Sequence, residues 1–262
     1  MTFNTHNVLN AHNYETICRY TYLPAYGKFI TADFLNGSGN VFCKTDFITE
    51  LFSQLAEAEG PFNLITHHSD YPITEELFKL KPRCVKKWFA LNPVFKHPDL
   101  IPLPLGLKTH AGYYLEPQYM TEWFSYNINR LRQVPKTENI YCNWNITNQE
   151  RNKIVTRLDS AQILYTYETN LPFNEYIERM SKHKYVISPP GNGIDCHRTW
   201  EALYVGCIPI VIKNEIYDSW SDLPILQVED YANIKQDLLD EFETKSFNLS
   251  KLSIEYWKSV IK

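Results

Sequence analysis

The stretch from Lys184 to Ile212, KYVISPPGNGIDCHRTWEALYVGCIPIVI, restricts the fold more than any other part of the chain. Lys184 to Ser188 is a short β-branched and aromatic run that stops at Pro189 and Pro190, which predicts a buried strand. Gly191-Asn192-Gly193 predicts a loop with access to backbone conformations closed to other residues. Asp195 stands where a helix N-cap is expected, ahead of a run that ends at Gly206, a residue suited to a helix C-cap. Trp200, Leu203 and Tyr204 fall at helical spacing and form an apolar stripe. Ile208 to Ile212 is apolar throughout, as in a central parallel strand covered on both faces. The unit is strand, glycine loop, helix, strand.

Such a unit offers free backbone N–H groups and the positive end of a helix dipole beside a glycine loop, a setting that suits a phosphate or diphosphate. Arg198, in the first helical turn, can add a forked and permanently charged group. Glu201, three residues on and on the same side, can accept hydrogen bonds from a ribose diol. The plainer account of the same residues is a turn, followed by a helix with an i, i+3 ion pair worth a few tenths of a kcal/mol. Two common nucleotide motifs fit poorly. No Lys-Ser or Lys-Thr follows the glycines, and the dinucleotide fingerprint wants a small residue at Cys196 and an acidic residue where Lys213 and Asn214 stand.

SPPGNGIDCHRTWEALYVGCIPIV resembles the C-terminal nucleotide-sugar motif of exostosin-like glycosyltransferases of bacteria and large viruses, in which an Arg-x-x-Glu-Ala-Leu helix precedes a Gly-Cys-Ile-Pro strand. Arg198, Glu201, Ala202, Leu203, Gly206, Cys207, Ile208 and Pro209 carry the match. A second block, ITHHSDYPIT followed by KKWFALNPVFKHPDLIPLPLGL, resembles the N-terminal half of small members. The resemblance spans Ile65 to Ile212 and leaves the first forty or so residues unmatched. It implies the GT-B fold, with two Rossmann-like doubly wound α/β domains facing across a cleft, and transfer of a sugar from a nucleotide-diphosphate donor.

Composition bounds the alternatives. A chain of 262 residues is one large domain or two of roughly 130 residues each. A net charge of −4 with no basic run disfavours a nucleic-acid partner. No apolar stretch approaches the length of a membrane span, and the polar start MTFNTHNVLNAHNYE is unlike a signal peptide. Cysteines at 18, 43, 84, 142, 196 and 207 show no CxxC and no pairing rhythm, so a reduced, cytoplasmic setting is expected, the host cytoplasm if the chain is viral. The sequons at Asn145 and Asn248 are then expected to be unmodified.

Strands are expected near Lys28 to Asp33, at Phe62 to Thr66, Lys86 to Leu91 and Leu100 to Leu103, with helices at Asp46 to Ala58, after the cap Thr74, and from Pro117 to Gln133. Asn36 to Asn40 reads as a loop, on the surface or facing the cleft. Val134 to Thr137 is the best linker, dividing an N-terminal acceptor-binding domain (1–134) from a nucleotide-sugar-binding domain (135–245). Beyond the linker, strands at Asn139 to Trp144 and Ile163 to Tyr167 alternate with helices at Asn148 to Leu158 and Phe173 to Lys182. The motif unit, a strand at Ile225 to Val228 and a helix at Tyr231 to Phe242 follow, a rhythm that implies a doubly wound parallel sheet. A last helix, Leu252 to Ile261 within 246–262, is expected to pack back on the N-terminal domain.

Transfer from such a donor needs a clamp on the departing diphosphate, a base for the acceptor hydroxyl and a cleft that excludes water. The clamp falls to the helix N-terminus after the Gly191 to Gly193 loop, with Arg198; Asn192, Asp195 and His197 in the same loop are further candidates for donor contact and Glu201 for the ribose, although Asp195 serves equally as a cap. Tyr165, at a strand end, is a candidate for the nucleobase. Strand ends border the ligand crevice in open α/β sheets, so Asp70 is the first candidate for an inverting base, with His67 and His68 as rivals. The small members it resembles carry an acidic residue at that place.

Two adjacent histidines suggest a metal, but no third or fourth ligand stands at a related spacing and no Asp-x-Asp occurs in the chain. A metal-independent transfer with no cofactor follows, to an oligosaccharide or glycoprotein glycan. A UDP-sugar is favoured as donor, and the small viral members suggest xylose. The alternatives are a GDP-sugar (fucosyl-type) transferase on the same fold and a nonenzymatic nucleotide- or sugar-binding module.

Overall fold

The computed structural model describes residues 2–30, 34, 36–108, 119–146 and 149–262. Among the described residues ten strands form two separate sheets of five, and every strand pairing is parallel. The first sheet holds Tyr20–Tyr22 (β1), Gly39–Lys44 (β2), Phe62–His67 (β3), Val85–Ala90 (β4) and Leu100–Pro102 (β5). The second holds Glu138–Cys142 (β6), Tyr165–Tyr167 (β7), His183–Ile187 (β8), Ile208–Ile212 (β9) and Leu226–Val228 (β10). The chain is thus built from two parallel α/β units, each Rossmann-like.

The two sheets are wound differently. In the second the order is β10-β9-β8-β6-β7, so the winding reverses between β6 and β8, as in a doubly wound sheet. The first lies in plain sequence order, β1 to β5, without that reversal, which corrects the expectation of double winding in both halves. Right-handed crossovers in a sequential parallel sheet all pass over the same face. Here the crossover helices Ile48–Leu55 and Glu75–Lys79 cover the face that carries Val41, Cys43, Leu64 and Trp88.

The opposite face, carrying Phe42, Ile65 and Phe89, still needs burial. It obtains this from the chain ends, through Phe3, Val8 and Tyr14 of the N-terminal segment and Trp257 of the last helix, and the same cluster continues into Trp200, Leu203 and Tyr204 of the second unit. The last helix, Ile254–Val260, does pack back on the first sheet. Trp257 meets the Tyr14 ring edge-on, and the carbonyls of Ile261 and Lys262 accept from the side-chain amides of Asn40 and Asn63, at 2.9 Å each. The N-terminal segment joins both units: Leu9 donates its backbone N–H to the Tyr204 hydroxyl at 2.6 Å, and that hydroxyl donates onward to the Leu252 carbonyl.

Elsewhere the expected elements are present with adjusted ends. Thr74 caps its helix by accepting from Leu77 N–H, and Gly206 closes the motif helix in the left-handed region at φ 79°. The expected helix from Asp46 divides into a 3-10 turn, Thr45–Phe47, and the helix Ile48–Leu55. The expected helix at Tyr231 likewise divides into Tyr231–Asn233 and Gln236–Glu243. The strand expected at 28–33 is not formed in its described part, where Lys28 pairs with Leu23 in an isolated bridge; residues 31–33 lie outside the described residues. Gly39 and Asn40, read as loop, open β2. Pro117 and Asn148 lie outside the described residues, next to the helix Tyr119–Arg132 and the 3-10 turn Gln149–Lys153. Among the described residues no helix is long and apolar enough to cross a membrane.

Candidate functional site

The motif folds as strand β8, a loop, the helix His197–Val205 and strand β9, but its loop is anchored otherwise than expected. The N-cap position is held by Cys196, which makes no side-chain capping bond. Asp195, one residue earlier, turns instead across the seam between the two units. It is 4 % exposed, and its Oδ2 accepts from Leu105 N–H at 2.9 Å and from the Trp200 indole N–H at 2.7 Å. Its own N–H donates to Asn92 Oδ1 at 3.2 Å. Burial pushes the carboxyl up to about 7, against the pull of those hydrogen bonds. Asp195 therefore borders the cleft as a tie between the halves, not as a helix cap.

Gly193 faces the same partner. A Cβ there would lie 2.7 Å from Asn92 Nδ2, so a side chain at 193 would force the Asn92 amide to shift. Asn92 itself takes the left-handed conformation, at φ 49°.

The winding of the second sheet reverses where β6 and β8 lie side by side, and a pocket of about 230 Å³ opens beyond their carboxyl ends. Ligands of doubly wound sheets bind in that crevice. Asn143 and Asn145 enter it from the segment after β6, Arg151 from the turn that follows, Tyr176 from the helix Phe173–Met180, and Arg198 and Glu201 from the motif helix. The Tyr176 hydroxyl donates to Glu201 Oε2 at 2.9 Å. Burial pulls the Glu201 carboxyl upward, opposed by Arg198 and Tyr176. For Arg198 burial works against the charge, but Tyr176, Cys196 and Glu201 outweigh it and hold the guanidinium firmly protonated.

Arg151, 7 % exposed, donates to the carbonyls of Pro190, Asn145 and Pro189 at 2.9–3.2 Å, and so fixes the turn that leads into the glycines. The pocket thus holds two guanidinium groups against one carboxylate, at the amino end of a nine-residue helix. Two buried donors in it, Nε of Arg198 and Nδ2 of Asn143, find no acceptor among the described residues. Unsatisfied donors and excess positive charge are the features that an anion would complement.

A larger cleft of about 870 Å³ lies between the units. One wall comes from the ends of β2 and β3 and includes Lys44, Asp46, His68, Asp70 and Tyr71; the other comes from Gly191 to His197. Asp70 is exposed and accepts from the Asn192 side-chain amide across the cleft at 3.3 Å, so the proposed base and the glycine loop do meet. His68 is half-buried in the left-handed region at φ 64°, and burial lowers its basicity.

His67, expected as a rival base, also lines the cleft but is set deeper in it than Asp70. It is 1 % exposed, Nε2 points to the Pro104 carbonyl at 3.2 Å, and Nδ1 is buried without a partner among the described residues. Burial drives its pKa down to about 3, so the ring is neutral and enclosed. His197, at the start of the motif helix, points Nδ1 to the Gly106 carbonyl at 2.8 Å and lines both cavities.

Tyr165 does not join the site. It lies on the sheet-edge strand β7, lines neither cavity, and donates its hydroxyl to Asp159 at 2.6 Å, a bond that pushes its pKa up to about 12. Periodicity could not show that β7 lies at the sheet edge, because strand order is not written in it. Sequence reasoning also missed Asn92, Asn143, Asn145, Arg151 and Tyr176. Asn143 and Asn145 carried a usable signal, since they follow closely on a strand of the doubly wound sheet.

Among the described residues no three His, Cys, Asp or Glu side chains are grouped to hold a metal ion, and all six cysteines are unpaired. Compared with known families and characterised proteins, the chain matches no family model and no curated sequence.

Proposed function

We propose that the chain is an inverting glycosyltransferase of GT-B architecture that moves a sugar from a nucleoside-diphosphate donor to a glycan hydroxyl without a divalent cation. The observation that carries this reading is that the two cavities adjoin, sharing Arg151, Cys196 and His197 in their linings. The pocket with Arg198 and a helix amino end thus lies beside a cleft lined by Asp70. The diphosphate takes the pocket, with Glu201 beside its ribose. The acceptor lies along the wall of Lys44, Asp46, His68 and Tyr71.

Asp70 removes the proton from the acceptor hydroxyl, whose oxygen attacks the anomeric carbon from the face opposite the diphosphate. The bond from that carbon to the phosphate oxygen breaks, and the charge left on the diphosphate is met by Arg198 and the helix dipole. A UDP-sugar is the favoured donor, with xylose as the sugar and a GDP-sugar as the alternative. Unpaired cysteines suit a reaction in the cytoplasm, that of the host if the chain is viral.

The test is thermal unfolding with UDP, GDP, dTDP and CMP, with and without magnesium and EDTA. A nucleotide at 100 times its dissociation constant adds about 2.7 kcal/mol, which corresponds to a shift of roughly 5–10 °C for a chain of this size. The expected result is a shift with one diphosphate, unchanged by EDTA, lost in Arg198→Ala and kept in Asp70→Asn, which loses turnover alone. No shift with any nucleotide, or a shift that needs the metal, overturns the corresponding part of the proposal.

A further inference from the structure

The pocket and the cleft share three lining side chains, Arg151, Cys196 and His197. These stand at the neck between the anion pocket and the wall that carries Asp70. Arg151 is engaged with backbone carbonyls, and the Cys196 sulfur lies 3.1 Å from the Ser188 hydroxyl. The imidazole of His197 is oriented by a different bond. Its Nδ1 is 2.8 Å from the Gly106 carbonyl, and a carbonyl only accepts, so Nδ1 carries the hydrogen.

A second proton on this ring is disfavoured. Burial lowers its pKa to about 4, Lys108 and His68 push the same way, and only the Gly106 bond and Asp70 oppose them. Nε2 is then a bare lone pair, and among the described residues the ring makes no other hydrogen bond. A lone pair repels a phosphate oxygen, which is also only an acceptor. What it accepts is an O–H or an N–H.

On the nucleotide-sugar reading above, the group at this neck is the sugar itself, between diphosphate and acceptor. We propose that Nε2 of His197 accepts a hydrogen bond from a hydroxyl of the sugar being transferred, which makes His197 a specificity-determining contact for the donor sugar and not a ligand of the phosphates. The inference rests on that reading and narrows the role of one residue within it.

The test separates sugar from nucleotide. Asparagine places its amide nitrogen near the position of Nδ1, so His197→Asn keeps a donor for Gly106 and removes the acceptor at Nε2. Titration calorimetry compares UDP with UDP-xylose, UDP-glucose and UDP-galactose, and GDP with GDP-fucose and GDP-mannose. The wild type is expected to bind one nucleotide sugar better than its nucleotide. The variant is expected to hold the free nucleotide within twofold and to lose about 3–10-fold on the sugar ester, the loss of one neutral hydrogen bond.

Equal losses on nucleotide and nucleotide sugar, or no loss on either, overturn the inference while leaving the transferase reading intact. If the wild type binds no nucleotide, both fall. A second measurement needs only the wild type. Replacing sugar hydroxyls one at a time by fluorine removes the donated hydrogen, so at least one monofluorinated ester must bind more weakly. Equal binding by every monofluorinated ester overturns the inference even where His197→Asn does not fold.

Discussion

Asp195 is a buried carboxylate that ties the glycine loop to the other half of the molecule, and its replacement by asparagine has a calculable effect on stability. Its carboxyl rises from 3.8 to about 7 on folding, chiefly through burial. A group whose folded pKa is raised contributes stability that is fully present below the unfolded value and is lost as the pH climbs through the folded one. Each unit is worth about 1.36 kcal/mol, so the whole shift amounts to about 4 kcal/mol. Integrated between pH 5 and pH 8, the loss is about 2–3 kcal/mol.

Asp195→Asn keeps an acceptor for Leu105 N–H and for the Trp200 indole but has no charge to bury. Its added amide hydrogens alter stability by an amount that does not vary with pH. The two proteins are therefore compared by calorimetric melting at pH 5, 6, 7 and 8. The wild type is expected to lose ground to the variant across that range, by roughly 5–10 °C in relative Tm. A difference in Tm that stays flat from pH 5 to pH 8 refutes the account of Asp195 as a carboxylate that folding leaves near neutrality.

Two further outcomes follow from the same seam and from the sheet edge. Gly193→Ala drives a methyl group to 2.7 Å from Asn92 Nδ2, an overpacking that costs about 1–3 kcal/mol in urea denaturation. Most of that cost disappears in an Asn92→Gly background, where the left-handed backbone at 92 suits glycine; a cost undiminished there shows that some other contact is responsible. Tyr165→Phe removes the bond to Asp159 and is expected to leave nucleotide affinity within twofold. A tenfold loss of affinity returns Tyr165 to the donor site.

The sequence spoke clearly wherever the deciding interaction is local. Thr74 and Gly206 end helices by bonds within one turn, and both are where residue type puts them. Strand and helix alternation follows from side-chain periodicity, so two parallel α/β units were legible. Periodicity states which face of an element is buried, not what stands against it. The order of the first sheet, the burial of its second face by both chain ends, and the enclosure of His67 all depend on what stands opposite.

The same limit explains why the glycine motif was only half read. Arg198 and Glu201 do face the pocket. Gly193, Asp195 and the Nδ1 side of His197 face partners about a hundred residues earlier in the chain: Asn92, Leu105 and Gly106. One loop therefore has two sides, one that faces the pocket with its own helix and a joint that the other half supplies. Because Asn192 meets Asp70 from that loop as well, whatever fixes the joint also fixes the distance between that pocket and Asp70. A substitution on the joint side should then alter turnover through that distance while leaving nucleotide affinity unchanged, whereas one at Arg198 should alter the affinity itself.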